Sequence, residues 1–173
     1  MFDKLMELLS GGSAETVAEL KDDEVRLASA ALLVHAARID GNWTADESAQ
    51  LTAALKTHYN LSADDLYALL GSADAAEREA IDLYRFTSVL TRHLDQPGRQ
   101  HVVAMLWSVV LADGEIHEFE DNLVWRVAEL LGVSTRDRVR IKKQVQAQLA
   151  GADAPIAPAP PSLPAGPSSD EPA

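Results

Sequence analysis

The chain has 173 residues, 47% of them hydrophobic but only 5% aromatic, and no cysteine. This is the size of one domain with a core of Leu, Val, Ile and Ala, and it excludes disulfides, thiolate metal sites and cysteine nucleophiles. A net charge of −12 also argues against a nucleic-acid partner, because such binding depends on Lys and Arg neutralising phosphates.

The chain opens with Phe2, Leu5, Met6 and Leu9, a short amphipathic helix stopped by Gly11-Gly12. Acids interrupt this segment, so it lacks the basic start and long apolar run of a signal peptide. Val25, Ala28, Leu32, Ala36 and Ile39 make an apolar stripe that predicts a helix near 23–39. Thr44 opens a helix to about 58. Ser62 opens another near 63–71, and Asp74 a long one to about 93 with Leu83, Phe86, Leu90 and Leu94 along one side. Pro97-Gly98 predicts a turn. Val102, Met105, Leu106 and Val109 follow on a helix near 99–112, then helices near 118–131 and 135–149, the last capped by Ser134. No segment sustains a period of two, so the expectation is all-α: a bundle of seven to eight helices with short connections.

Residues 151–173 hold seven of the eight prolines. Such a composition cannot bury enough surface to offset ordering, so the organisation expected is a helical domain over 1–150 and a disordered Pro/Ala-rich tail over 151–173. No stretch reaches the roughly 18 apolar residues of a membrane span. The expected location is cytoplasmic.

Charge is unevenly placed. Residues 1–134 hold 23 acids against 10 Lys and Arg, whereas 135–150 carries Arg136, Arg138, Arg140, Lys142 and Lys143 against Asp137 alone. This basic strip reads first as a solvated helix face near a helix C-terminus. Its sharper reading is a docking strip for an acidic protein partner or peripheral association with an anionic membrane. A homo-oligomer is compatible with the same composition.

A unit recurs at a spacing of 73 residues. Ile39-Asp-Gly-Asn-Trp-Thr-Ala-Asp-Glu47 and Ala112-Asp-Gly-Glu-Ile-His-Glu-Phe-Glu120 each follow an apolar helix, with a Glu seven residues after the Asp. Asn60-Leu-Ser62 and Gly132-Val-Ser134 close the two copies. The pattern predicts two helix pairs related by a pseudo-two-fold axis.

Helix termination explains part of each turn. Gly41 and Gly114 suit a left-handed C-terminal residue, and Thr44-Ala-Asp-Glu47 fits a capping box. The acids fit less well. Asp40 and Asp113 stand at helix C-termini, where the dipole disfavours an anion by a few tenths of a kcal/mol up to about 1. His117 replaces Thr44 and is a poor cap, yet Glu120 persists. The second turn also gathers Asp113, Glu115, Glu118, Glu120 and Asp121, which repel one another unless a cation or proton joins them. A hard divalent ion bound by carboxylate and carbonyl oxygens would relieve that repulsion. The spacing is not that of an EF-hand, since Gly is second and Glu eighth. Two facing turns could pool Asp40, Glu47, Asp113 and Glu120 as metal ligands. On the residues alone, metal binding and pure capping both stand.

Catalytic machinery is not in view. Di-iron bundles need Glu-x-x-His pairs, and none of His35, His58, His93, His101 or His117 has a Glu three residues before it. There is no Gly-rich phosphate loop and no nucleophile elbow. His35, on an apolar stripe, reads as a core histidine, and Trp43, Trp107 and Trp125 as anchors of the core or its edge.

Ala37-Arg-Ile-Asp-Gly41 with Glu47, and Leu111-Ala-Asp-Gly-Glu-Ile116 with Glu120, resemble the TerB-like proteins, named for a component of bacterial tellurite-resistance systems. The resemblance covers about residues 20–150. It implies an all-α fold of about seven helices with internal pseudo-symmetry, metal binding at the repeated acidic motif, and a part in stress-response complexes near the membrane. By position, Asp40, Glu47, Asp113 and Glu120 become the ligand candidates, with Asn42 and Glu115 secondary. The cation would be Ca²⁺, Mg²⁺, Mn²⁺ or Zn²⁺, and the partners proteins. The alternative is a protein–protein interaction module in which the turns are only caps.

Overall fold

The computed structural model describes residues 14–152 except 40, 42, 80 and 81. The expected first helix over 2–9 and the tail beyond 152 lie outside these residues. Seven helices follow in order: α1 Ala14–Arg38, α2 Ala45–Tyr59, α3 Ala63–Glu79, α4 Tyr84–His93, α5 Gln96–Val110, α6 Glu118–Leu130 and α7 Thr135–Ala152. Among the described residues there is no strand, and the all-α reading holds.

Two helices form the centre. α1 packs against α2, α3, α4, α5 and α6, and α5 packs against α1, α2, α6 and α7. Their sequences explain this. Ala30, Ala31, Leu32, Leu33 and Val34 are all buried, as are Val102, Val103, Met105, Leu106, Trp107, Val109 and Val110. A helix apolar on every side must be covered on every side. The many alanines of α1 let neighbours approach closely, and the buried Ser29 accepts a 2.8 Å hydrogen bond from the Tyr59 hydroxyl. Both central helices end at an Asp-Gly turn, so the two turns emerge directly from the core.

The outer elements depart from the expected boundaries for identifiable reasons. α1 begins at Ala14 rather than near 23; the described side chains of its first turns are exposed, so they carry no apolar stripe to read. The helix expected to stop at 71 continues through Gly71 to Glu79, with Ala73 buried. Asp74 is not a cap there: its carboxylate pairs with Arg38 and Arg78. The break falls instead before Tyr84, whose N–H donates to Asp82 Oδ1 at 2.9 Å. Pro97-Gly98 is not a turn but the first turn of α5, capped by Asp95 Oδ1, which accepts the Gly98 N–H at 2.9 Å. Proline is tolerated there because its missing N–H would have no partner within the helix. Trp107 is buried and Trp125 half-buried, but Trp43 is 39% exposed, with the Arg38 guanidinium 4.9 Å from its ring centre.

Candidate functional site

The two Asp-Gly turns share their backbone geometry. The Gly41 N–H donates to Arg38 O at 3.0 Å and the Gly114 N–H to Leu111 O at 3.1 Å. Gly41 has φ +80° and Gly114 φ +82°, the left-handed region that glycine enters without penalty. The closing turns also match. Asn60 (φ 50°) and Gly132 (φ 69°) are both left-handed. After them, the Leu61 N–H donates to Lys56 O at 3.1 Å and the Val133 N–H to Ala128 O at 2.9 Å, the long backbone bond of a Schellman cap.

Glu47 and Glu120 sit in capping boxes. Thr44 and His117 hold the N-cap with extended backbone, at φ −83° in both. Glu47 Oε2 accepts the Thr44 N–H and hydroxyl, each at 2.8 Å, while the Glu47 N–H donates to Thr44 Oγ1 at 3.2 Å. Glu120 Oε2 accepts the His117 N–H at 3.1 Å. The backbone half of the box is thus kept with His117 at the N-cap, as the persistence of Glu120 in the second copy led one to expect. The glutamate reaches a backbone N–H, which every residue but proline provides, so the N-cap side chain need not be Thr.

Two other helices supply a comparison within the same molecule. Ser62 and Asp65 cap α3, with the hydroxyl donating to Asp65 Oδ2 at 2.6 Å, and Ser134 and Asp137 cap α7 in the same way at 2.7 Å. Asp65 is exposed and Asp137 partly exposed. The Ser134 hydrogen bond, then Arg140, lowers the Asp137 carboxyl pKa. Glu47 and Glu120, by contrast, are 2% and 1% exposed. Capping does not require burial, and burying a carboxyl group is costly unless it is well compensated.

Of the remaining candidates, Asp113 is half-buried and its Oδ1 accepts the Glu115 N–H at 2.9 Å; Glu115 itself is exposed. Asp40 and Asn42 lie outside the described residues. α2 and α6 pack mainly on α1 and α5 rather than on each other. Among the described residues no three His, Asp or Glu side chains are grouped to hold one metal ion. A cation at either turn would thus take one or two carboxylates, backbone carbonyls and water. That all-oxygen set suits a hard ion that keeps part of its hydration.

Sequence reasoning missed an ionic network beside the first turn. His35 is not a buried core histidine: its Nδ1 lies 2.9 Å from Glu77 Oε1, and Arg38 pairs with both Glu77 and Asp74. The signal was present, since 35 and 38 on α1 and 74 and 77 on α3 each stand three residues apart on one helix face. The basic strip on α7 is largely engaged within the chain. Arg138 donates to Val133 O at 2.8 Å, Arg140 pairs with Asp137, and Lys142 pairs with Asp121 while its ammonium lies 4.5 Å from the Trp107 ring centre.

No described helix is long and apolar enough to cross a membrane. The family model described as tellurite resistance protein TerB matches residues 26–143, a span that contains both turns and excludes the Pro-rich tail. No curated protein and no solved structure matches the chain.

Proposed function

The chain belongs to the TerB family and is a tellurite-resistance-like helical domain; from that premise we propose that it is a non-catalytic domain that binds or senses a divalent cation at its Asp-Gly turns. The observation that carries this reading is the burial of Glu47 and Glu120 at equivalent places, where Asp65 and Asp137, the third residues of α3 and α7, accept a serine hydroxyl at or near the surface. A carboxylate fixed through one oxygen by a backbone N–H is held in one orientation, and a ligand held before the ion arrives loses little entropy on binding. Asp113, and by position Asp40, would contribute from the preceding helix ends, with Asn42 and Glu115 next to them. The oxygen donors favour Ca²⁺, Mg²⁺ or Mn²⁺ over Zn²⁺.

The test is thermal unfolding of the whole chain in EDTA and then in millimolar Ca²⁺, Mg²⁺, Mn²⁺ or Zn²⁺. An ion that binds only the folded state at ten times its Kd adds about 1.4 kcal/mol, a shift of several degrees. Glu47→Gln and Asp113→Asn should each reduce that shift. If no ion moves the transition, the cation reading fails.

A second reading is favoured by the apolar side chains around the same turns. Trp43 and Ile116, at equivalent positions, are 39% and 40% exposed, and Phe119 is 68% exposed. Under this reading the turns are caps and these side chains meet a partner protein. Trp43→Ser with Phe119→Ser would then abolish partner capture while leaving the melting transition in place.

A further inference from the structure

α1 packs against α2 and α3, and α5 packs against α6 and α7. The caps fix the register between these two groups: Glu47 matches Glu120 at a spacing of 73, and Ser62 matches Ser134 at 72. In that register Val34, Ser48 and Leu70 correspond to Trp107, Asp121 and Lys142. The three residues of the second group close on one another. Lys142 pairs with Asp121, and its ammonium lies 4.5 Å from the centre of the buried Trp107 ring. Their shorter counterparts leave space: Val34, Ser48 and Leu70 line an open pocket of about 210 Å³ between α1, α2 and α3.

The floor of this pocket is apolar: Val34 and Leu51 are buried and Leu70 is half-buried. Ser48 and Thr52 add two hydroxyls to its wall, each able to accept a hydrogen bond from a ring N–H. At the rim Arg38 and Asp74 pair with each other, Arg38 also with Glu77 and Asp74 also with Arg78. Two cations thus answer two anions, and the rim offers no net charge to a guest. Protein interiors keep few voids larger than a water molecule, and an apolar cavity of about 150 Å³ takes up benzene.

We infer that the pocket between α1, α2 and α3 binds a small neutral aromatic molecule of the indole class, whose ring takes the place that the Trp107 side chain fills in the second group. Arg38, which already lies 4.9 Å from the centre of the Trp43 ring beside the pocket, is the cation over this guest as Lys142 is the cation over Trp107. The inference goes beyond the cation reading of the Asp-Gly turns and does not rest on it.

The experiment is titration of the whole chain, kept in EDTA, with indole, followed by methyl NMR. The signals of Val34, Leu51 and Leu70 should shift saturably, with a Kd below about 1 mM. Val34→Phe places a ring of the chain's own in the pocket and should weaken binding at least tenfold. Thr52→Met, at a half-buried position, fills the pocket from the opposite wall and should weaken it at least threefold. Circular dichroism establishes that each variant is folded, and the methyl map of the wild type needs no variant. Indole-3-acetate, which carries a carboxylate, should bind at least fivefold more weakly than indole. No saturable shift at several millimolar indole, shifts centred on methyls outside the pocket, wild-type affinity in the folded filled variants, or equal affinity for indole-3-acetate would each overturn the inference.

Discussion

Glu47 and Glu120 stand 73 residues apart and do the same work: each is third in its helix, almost fully buried, and uses Oε2 to accept the N–H of the residue that caps it, at 2.8 and 3.1 Å. The two acids hold the starts of α2 and α6, the helices that follow the two Asp-Gly turns. The acid is kept where the N-cap side chain differs, because its partner is backbone.

Replacing either buried glutamate should therefore cost more than replacing an exposed capping acid. Glu120→Ala removes the acceptor of a cap N–H and opens a space at the core boundary. About 2–3 kcal/mol is expected, from loss of a cap together with a donor left without its partner. Asp65→Ala, at the surface, should cost under about 1 kcal/mol. Urea denaturation of the two variants measures the difference, and equal losses would mean that burial adds nothing to the cap.

The glycines separate two effects in the same way. An added Cβ meets nothing within 4 Å at either Gly114 or Gly71. Only the backbone distinguishes them: Gly114 has φ +82°, and Gly71 lies inside α3. Gly114→Ala should destabilise by about 1–2 kcal/mol. Gly71→Ala should stabilise by about 0.5–1 kcal/mol, since Ala restricts the unfolded chain and suits a helix. Thermal unfolding of the pair should give shifts of opposite sign.

The core follows from the same logic. Leu106, fully buried on α5, has neighbours on all sides in a helix that packs against four others. Leu106→Ala should cost about 2–5 kcal/mol, the range for a buried leucine whose surroundings relax only in part. Tyr67→Ala, at an exposed position, should change stability by less than about 0.5 kcal/mol.

The legible parts of the chain were those governed by local rules. The apolar stripe from Val25 to Ala36, the Gly41 and Gly114 turns and the Thr44 box depend on residues within one turn of helix, and the structure places them as expected. What could not be read depended on contacts between distant segments. Asp74 looked like a cap because its partners, Arg38 in particular, lie on another part of the chain. The burial of Glu47 and Glu120 was equally hidden, since a capping box looks the same in sequence whether core or water lies beyond it. The His58–His101 stack joins residues 43 positions apart and leaves no periodic trace.

That stack makes a prediction about acid. The pKa of both rings lies below the ordinary 6.5 in the folded chain, so protons bind the unfolded chain more readily. Above about pH 7 neither state carries a proton on these rings, and they add no pH dependence. As pH falls through 6.5 the unfolded chain takes up protons that the folded chain still refuses, and stability declines until the folded rings titrate as well. His58 meets Tyr59 edge-on and His101 face-on, and among the described residues no Asp, Glu, Lys or Arg lines the groove between α2, α5 and α7 that the two rings face. Urea denaturation at pH 7.5 and pH 5 should therefore show a larger loss in the wild type than in the His58→Gln/His101→Gln double variant. Equal losses would mean that the stacked rings titrate as free histidines do.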